Sequence, residues 1–377
     1  METEISRRSF LKAAAGGVAA GGLALSGLAG GAESARAAKA QQNGAVWVWQ
    51  FDRDALADQV REALSQRSLG VIVKTHDGLD WMAKWDRSVH AIWGPEQVAW
   101  LARFFSERNV AFHAWCVPKG IDPIAEANAC SNVIEAGAQS VYLDLEPGDG
   151  TNYWLGSSDA ALRFGEELRR LQPKAHLVVA PDARPWQAAK VPLEEFVAFS
   201  DEIAPQAYWR TFNTPANHTR LAQHGYPVGA DGVTPELLVN MSVDVFSRFG
   251  KPVSPIGQGN AAPDEWQRFL STLMQRQGAK VSVWRYGTSD PGVWDVVGRT
   301  LQVAQPPQQP QPAPQALTVP SQPPAPPPAP EPAAPEPPPG APTAAPPPDE
   351  APAVPEFFKP VLDRLREILS IIFLRSP

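Results

Sequence analysis

Two cysteines, Cys116 and Cys130, are all that 377 residues contain. A disulfide framework therefore cannot hold this chain together. Its six histidines (His76, His90, His113, His176, His218 and His224) show no HxH or HxxxH spacing. No metal site is indicated, and no cofactor is expected. No GxGxxG follows the first strand-like run, which argues against a dinucleotide site. Positive charge is also short. The net charge is −7, and the first 37 residues carry four basic and three acidic groups, so the remainder stands near −8. Nucleic acid and anionic surfaces are thereby disfavoured as main partners. The one long small-residue run, Ala13 to Ala29, holds five glycines, which speaks against a membrane span.

What is present begins with an address. Ser6-Arg7-Arg8-Ser9-Phe10-Leu11-Lys12 resembles the twin-arginine export motif, and small-x-small sites follow at Ala35-Arg36-Ala37 and Ala38-Lys39-Ala40. A signal peptide over 1–37 is expected, and it implies folding in the cytosol before export to the periplasm, the cell surface or the medium. Cys116 and Cys130 are then either a pair that joins after export or two buried thiols. At the far end, 23 of the 41 prolines lie between Pro306 and Pro355. Such a stretch has little to bury, so a disordered spacer is expected over 304–355. Residues 356–377 show helical spacing of Phe358, Val361, Leu362, Leu365, Ile368, Leu369, Ile372 and Phe373. Because both charge signs sit on the polar face, docking on a partner protein or self-association ranks above a membrane surface.

Between the ends, β-branched runs alternate with amphipathic stretches. Strands are expected at Val46–Phe51, Gly70–Thr75, Val110–Trp115, Val141–Pro147, His176–Ala180, Glu202–Tyr208, Pro252–Gly257 and Lys280–Trp284. Helices are expected at 54–67, 95–108, 122–136, 158–171, 193–199, 235–249, 263–277 and 293–303. Eight strand–helix units over 44–303 predict a TIM (β/α)8 barrel, with an open doubly wound sheet as the alternative.

The chemistry concentrates in Val141-Tyr142-Leu143-Asp144-Leu145-Glu146-Pro147. Residues two apart on a strand face the same way, so Tyr142, Asp144 and Glu146 share a side, with the carboxylates roughly 6–7 Å apart at the backbone. Like charges at that range hold one pKa up, as a proton donor for glycoside cleavage requires. In a barrel the strand C-terminal ends build the active site. Those ends carry Gln50 and Asp52; Lys74, His76 and Asp77; Asp182 and Arg184; Gln206, Tyr208 and Arg210; Gln258 and Asn260; Arg285 and Tyr286. Eight of the 13 tryptophans fall near strand ends or in the following loops: Trp49, Trp81, Trp85, Trp115, Trp154, Trp186, Trp209 and Trp284. Flat aromatic faces suit sugar rings, although they also fill cores. Glu146 is expected to be the desolvated acid and Asp144 to stay charged among Lys74, Gln206 and Tyr208. Asp77, Asp182 and Asp264 are further candidates for a second acid.

The chain resembles the family 25 glycoside hydrolases, lysozyme-type barrels that cut bacterial cell-wall glycan. Val73-Lys74-Thr75-His76-Asp77-Gly78 is similar to that family's second-strand Lys-Ala-x-Glu-Gly, Asp144-Leu145-Glu146 to its Asp-x-Glu, and Trp284-Arg285-Tyr286 to its Trp-Gln-Tyr. The resemblance implies Glu146 as proton donor, with Asp144 stabilising charge at the sugar carbon or orienting an N-acetyl group. From their places at strand ends and in the loops after them, Lys74, His76, Asp77, Trp115, Asp182, Gln206, Tyr208, Trp209, Trp284 and Arg285 are the expected glycan contacts, with polysaccharide or peptidoglycan as partner. The first strand departs from the family: Val46-Trp47-Val48-Trp49-Gln50 has tryptophan where the family has aspartate. A barrel that binds glycan without cutting it is therefore the alternative.

Overall fold

The computed structural model describes residues 43–303, apart from 149–151 and 279. The expected signal, proline-rich spacer and terminal helix lie outside the described residues. No described helix is long and apolar enough to cross a membrane.

Eight staves form a parallel barrel. They are β1 (Gly44–Val48), β2 (Gly70–Asp77), β3 (Phe112–Val117), β4 (Ser140–Leu145), β5 (His176–Pro181), β6 in two pieces (Glu202–Ile203 and Gln206–Ala207), β7 (Ile256–Gln258) and β8 (Val281–Trp284). The sheet runs from the first piece of β6 through β5, β4, β3, β2, β1, β8 and β7 to the second piece. All these pairings are parallel, and the two pieces of β6 are four residues of one stave, so the ring closes there. A two-residue strand, Asp80–Trp81, folds back antiparallel on the end of β2.

The crossover helices are α1 (Ala57–Ser65), α2 (Pro95–Ser106), α3 (Pro123–Glu135), α4 (Ser158–Leu171), α5 (Leu193–Phe199), α6 (Pro235–Phe246), α7 (Pro263–Gln275) and α8 (Pro291–Val303). Their starts follow from capping chemistry. Asp122 accepts from the Ala125 N–H, Ser157 from Ala160 and Thr234 from Leu237. Proline in the first turn of α2, α3, α6 and α7 costs no hydrogen bond, because those N–H groups have no helical partner.

Strand limits shift from expectation for local reasons. β1 stops at Val48 because the Gln50 carbonyl turns to accept from Arg53 and Asp54. β6 breaks at Ala204-Pro205, where proline has no N–H for the ladder. β7 begins at Ile256 rather than Pro252, with only an isolated bridge from Val253 to Ile203 before it.

The main apolar core lies between staves and helices; Val71, Val73, Leu143, Val179, Phe164 and Phe269 are among its fully buried members. Each such side chain contributes roughly 1.5–3 kcal/mol on burial. Inside the ring a second, smaller cluster gathers Trp47, Ile72, Trp115, Val117, Val178 and Ile256. Below it, at the strand N-terminal ends, His113, His176, Glu202, Ser254 and Lys280 line a polar pocket of about 240 Å³.

Candidate functional site

The site lies at the strand C-terminal ends, and a bulge in β2 shapes one wall. Lys74 pairs with Trp115 and His76 with Cys116, leaving Thr75 as the extra residue. An inserted residue re-aims the side chains that follow it. Lys74 and Asp77 consequently line the inner pocket, and His76 packs on the opposite side of the sheet. Lys74 Nζ donates to Asp77 at 2.8 Å and stands 4.8 Å from the Trp115 ring centre. Lys119 reaches the other Asp77 oxygen at 2.8 Å. Burial alone would raise the Asp77 carboxyl, but the two ammonium groups outweigh it and hold it below its usual range.

The loop after β3 is itself organised by one buried acid. Glu126 on α3 accepts from the N–H groups of Lys119, Gly120, Ile121 and Asp122 at 2.7–3.3 Å. Gly120 has φ +68°, and a Cβ there would meet the Trp154 ring at 2.6 Å, so only glycine lets that indole lie on the loop. The backbone N–H of Trp154 in turn donates to the Glu146 carbonyl at 3.1 Å, and that of Leu155 to the Lys119 carbonyl at 2.8 Å. The loop after β4 is thus clamped onto the loop after β3, which sets Glu146 and Tyr153 at the pocket edge.

The pocket holds about 500 Å³ and is lined by Trp47, Trp49, Lys74, Asp77, Trp115, Val117, Asp144, Glu146, Asn152, Tyr153, Gln206, Tyr208, Ile256, Trp284 and Arg285. Three indoles form its floor: Trp47, Trp115 and Trp284 lie edge to face with centres 5.4–5.6 Å apart. At the rim, Arg285 is paired with Asp54 and lies 5.0 Å from the Trp49 ring centre.

Gln206 joins the two acids. Its amide nitrogen donates to Asp144 at 2.8 Å and to Glu146 at 3.1 Å, with the Ala180 carbonyl 3.3 Å away. The bonded carboxylate oxygens therefore lie closer together than the sum of those two distances. Burial pushes the Asp144 carboxyl well up, and the Glu146 charge adds to it, against Lys74 and the Gln206 hydrogen bond. Burial raises Glu146 as well, opposed by Gln206 and Arg184 and reinforced by Asp182. Burial likewise drives the Tyr208 hydroxyl up, so it stays a neutral donor beside the pair. The expectation that Asp144 stays charged while Glu146 alone is raised is corrected here. The deeper acid suffers the larger desolvation, and Lys74 is already shared with Asp77.

Of the twelve residues expected at the site, Asp144, Glu146, Lys74, Asp77, Trp115, Gln206, Tyr208, Trp284 and Arg285 line the pocket. Three do not. His76 is 1% exposed on the helix side of β2, against Trp81. Trp209 is buried on Trp266 and Phe269, its N–H spent on Glu265. Asp182 is held by Arg184 at 2.5–3.1 Å and acts on the site through its charge, on Glu146 and Tyr208. Asp264 is exposed at the start of α7. Sequence reasoning passed over Trp47, whose inward position in β1 was available from strand alternation. Asn152 and Tyr153 come from a loop that carried no signal of its own.

Fold and site together define an exported, parallel α/β barrel with an acid pair in an indole-floored pocket. Residues 4–24 match the twin-arginine translocation (TAT) pathway signal sequence, so the chain is addressed to the periplasm or beyond. No curated protein matches it. Among solved structures it is similar to the second active domain of a thermostable chitinase from Pyrococcus furiosus, at 11% identity over 70% of this chain and 95% of that one, TM-score 0.46. A family 18 N-acetylglucosaminidase from Paenibacillus barengoltzii shares 11% identity over 69% of this chain and 99% of its own, TM-score 0.47. The spore cortex-lytic enzyme of Bacillus cereus shares 7% over 68% and 73%, TM-score 0.44.

Proposed function

We propose that the chain is an exported glycoside hydrolase acting on N-acetylated glycan of the cell wall or surroundings, with Glu146 as acid/base. The observation that carries this reading is the carboxyl pair bridged by one Gln206 amide at the edge of an open, indole-floored pocket. A proton donor to a glycosidic oxygen needs a carboxyl whose pKa is raised, and burial moves Glu146 in that direction. Glu146, the less deeply placed of the two, is assigned that role. One amide bonded to both carboxyls keeps them close, as in retaining enzymes, whose carboxyl groups stand about 5–5.5 Å apart, and this supports retention.

Asp144 narrows the substrate class. A retaining site needs either an ionised nucleophile or help from the substrate's own acetamido group. An Asp144 held toward its neutral form is a poor nucleophile, but it can hydrogen-bond and orient an acetamido oxygen or N–H. Chitin-type chains or peptidoglycan fit this requirement, and glycans without N-acetyl groups do not. The kinship with family 25 rests on three short motifs, one of them with His76 turned away from the pocket.

The same protonation pattern favours a second reading, in which the pocket binds N-acetylated sugars without cutting them. Release of reducing ends from chitin oligomers and peptidoglycan, wild type against Glu146→Gln, separates the two. Hydrolysis is expected to fall on the order of a thousandfold in kcat. Equal turnover by both proteins defeats the catalytic assignment. Affinity without turnover in either leaves the binding barrel.

A further inference from the structure

Three residues distant in sequence meet on the helix side of the barrel, behind the pocket wall: His76 on β2, Cys116 on β3 and Cys130 on α3. Their ligand atoms all lie within 4.8 Å of one another. Cys116 Sγ is 3.6 Å from Cys130 Sγ, and Cys130 Sγ is 3.6 Å from His76 Nε2. All three side chains are 1% exposed. We propose that this cluster is a binding site for a thiophilic cation of the zinc class, clamping α3 to β2 and β3.

Four observations support it. Two of the three spacings fit: with Zn–S about 2.3 Å and Zn–N about 2.0–2.1 Å, tetrahedral angles place sulfur about 3.8 Å from sulfur and about 3.6 Å from nitrogen, while Cys116 and His76 lie within 4.8 Å of each other. The imidazole is presented correctly. Thr75 Oγ1 donates to the Trp115 carbonyl at 3.2 Å and lies 2.8 Å from His76 Nδ1. With its only proton committed, the hydroxyl accepts from Nδ1–H, which leaves the Nε2 lone pair facing the thiols, the arrangement usual for a ligating histidine. The bulge that makes Thr75 the extra residue also puts His76 level with Cys116 on one face of the sheet. Charge closes as well: a divalent ion, two thiolates and a neutral imidazole sum to zero, which a buried site favours. Binding releases the two S–H protons to solvent and needs no oxidant.

A Cys116–Cys130 disulfide is the competing fate. It requires the sulfurs to close from 3.6 Å to about 2.05 Å, drawing α3 onto β3 and leaving the His76 lone pair without its thiol donors.

The test uses the full exported chain, purified from zinc-supplemented cells and analysed for metals. It is then stripped, reduced, refilled with Zn²⁺ or Co²⁺ and passed through a desalting column. About one equivalent of zinc is expected, with at least a tenfold loss in Cys130→Ser and in His76→Gln at unchanged circular dichroism. Should those variants fail to fold, the wild-type Co²⁺ form decides. A thiolate-to-cobalt charge-transfer band with intense tetrahedral d–d absorption supports the site. A refilled wild type that retains under a tenth of an equivalent and shows no such band overturns it. So does a Cys116–Cys130 disulfide found by alkylation and mass spectrometry in freshly exported protein.

Discussion

Replacing Gln206 with methionine keeps its length and removes the side-chain amide that bridges Asp144 and Glu146. In the wild type that amide favours the ionised form of both acids, since it lowers each against the burial that raises them. A hydrogen bond to a charged group is worth about 1.5–3 kcal/mol, and a tenfold change in proton affinity is about 1.4 kcal/mol. Losing the bridge should therefore move the titration of the pair upward by about 1–2 pH units. The two acids share one donor, so their titrations should move together as a pair property. Carbon-13 NMR of the Asp and Glu side-chain carboxyls follows this directly, with Asp144→Asn and Glu146→Gln assigning the resonances. The readout does not depend on knowing the substrate. If the Gln206→Met pair titrates where the wild type does, or lower, the bridge is not what sets its acidity and the electrostatic reading of the site is wrong.

Three further outcomes are expected. Asp144 has a folded pKa above its unfolded value, so its neutral form favours the fold below about pH 4 and that contribution is lost as pH rises. Asp144→Asn should therefore gain in Tm over wild type at pH 8 but not near pH 4, and equal differences at both would refute this. At the other end of the barrel, burial would raise Glu202, but His176, Ser254 and Lys280 hold it down at about 2 from 4.5. Its contribution is present above the unfolded value and lost as pH falls toward 2, so Glu202→Gln should cost on the order of 3 kcal/mol at pH 7 and flatten acid unfolding. An unchanged acid limb in denaturant titrations speaks against it. Trp49, 38% exposed at the rim, should lose about tenfold in glycan affinity as alanine while stability stays within about 0.5 kcal/mol, measured by calorimetry and thermal melts.

The barrel was legible because its signals are local and repeated. Helices at 158–171 and 193–199 match residue for residue: Ser157 caps the first, and acids in the first turn followed by regular apolar spacing mark both. The acid pair was legible from strand alternation, and Lys74, Gln206 and Tyr208 from their places at strand ends. What failed were positions decided by a single extra residue or by packing. The bulge at Thr75 turned His76 through the sheet, an event that periodicity cannot announce. Trp209 stands directly after a stave, yet the gap between β6 and α7 takes its ring into the core against Trp266. The charge state expected for Asp144 missed the depth of burial, a property of the closed ring rather than of the stretch itself. The meeting of Cys130 with His76 and Cys116 likewise requires knowing how α3 lies on the sheet.

The most direct measurement is a crystal structure of Glu146→Gln bound to a tetramer of N-acetylglucosamine. The expected result is a sugar ring on the Trp284 face, its acetamido group hydrogen-bonded to Asp144 and Tyr208, and its glycosidic oxygen within reach of residue 146. Sugar bound elsewhere on the barrel, with the pocket between Asp144 and Trp284 left to solvent, contradicts the assignment.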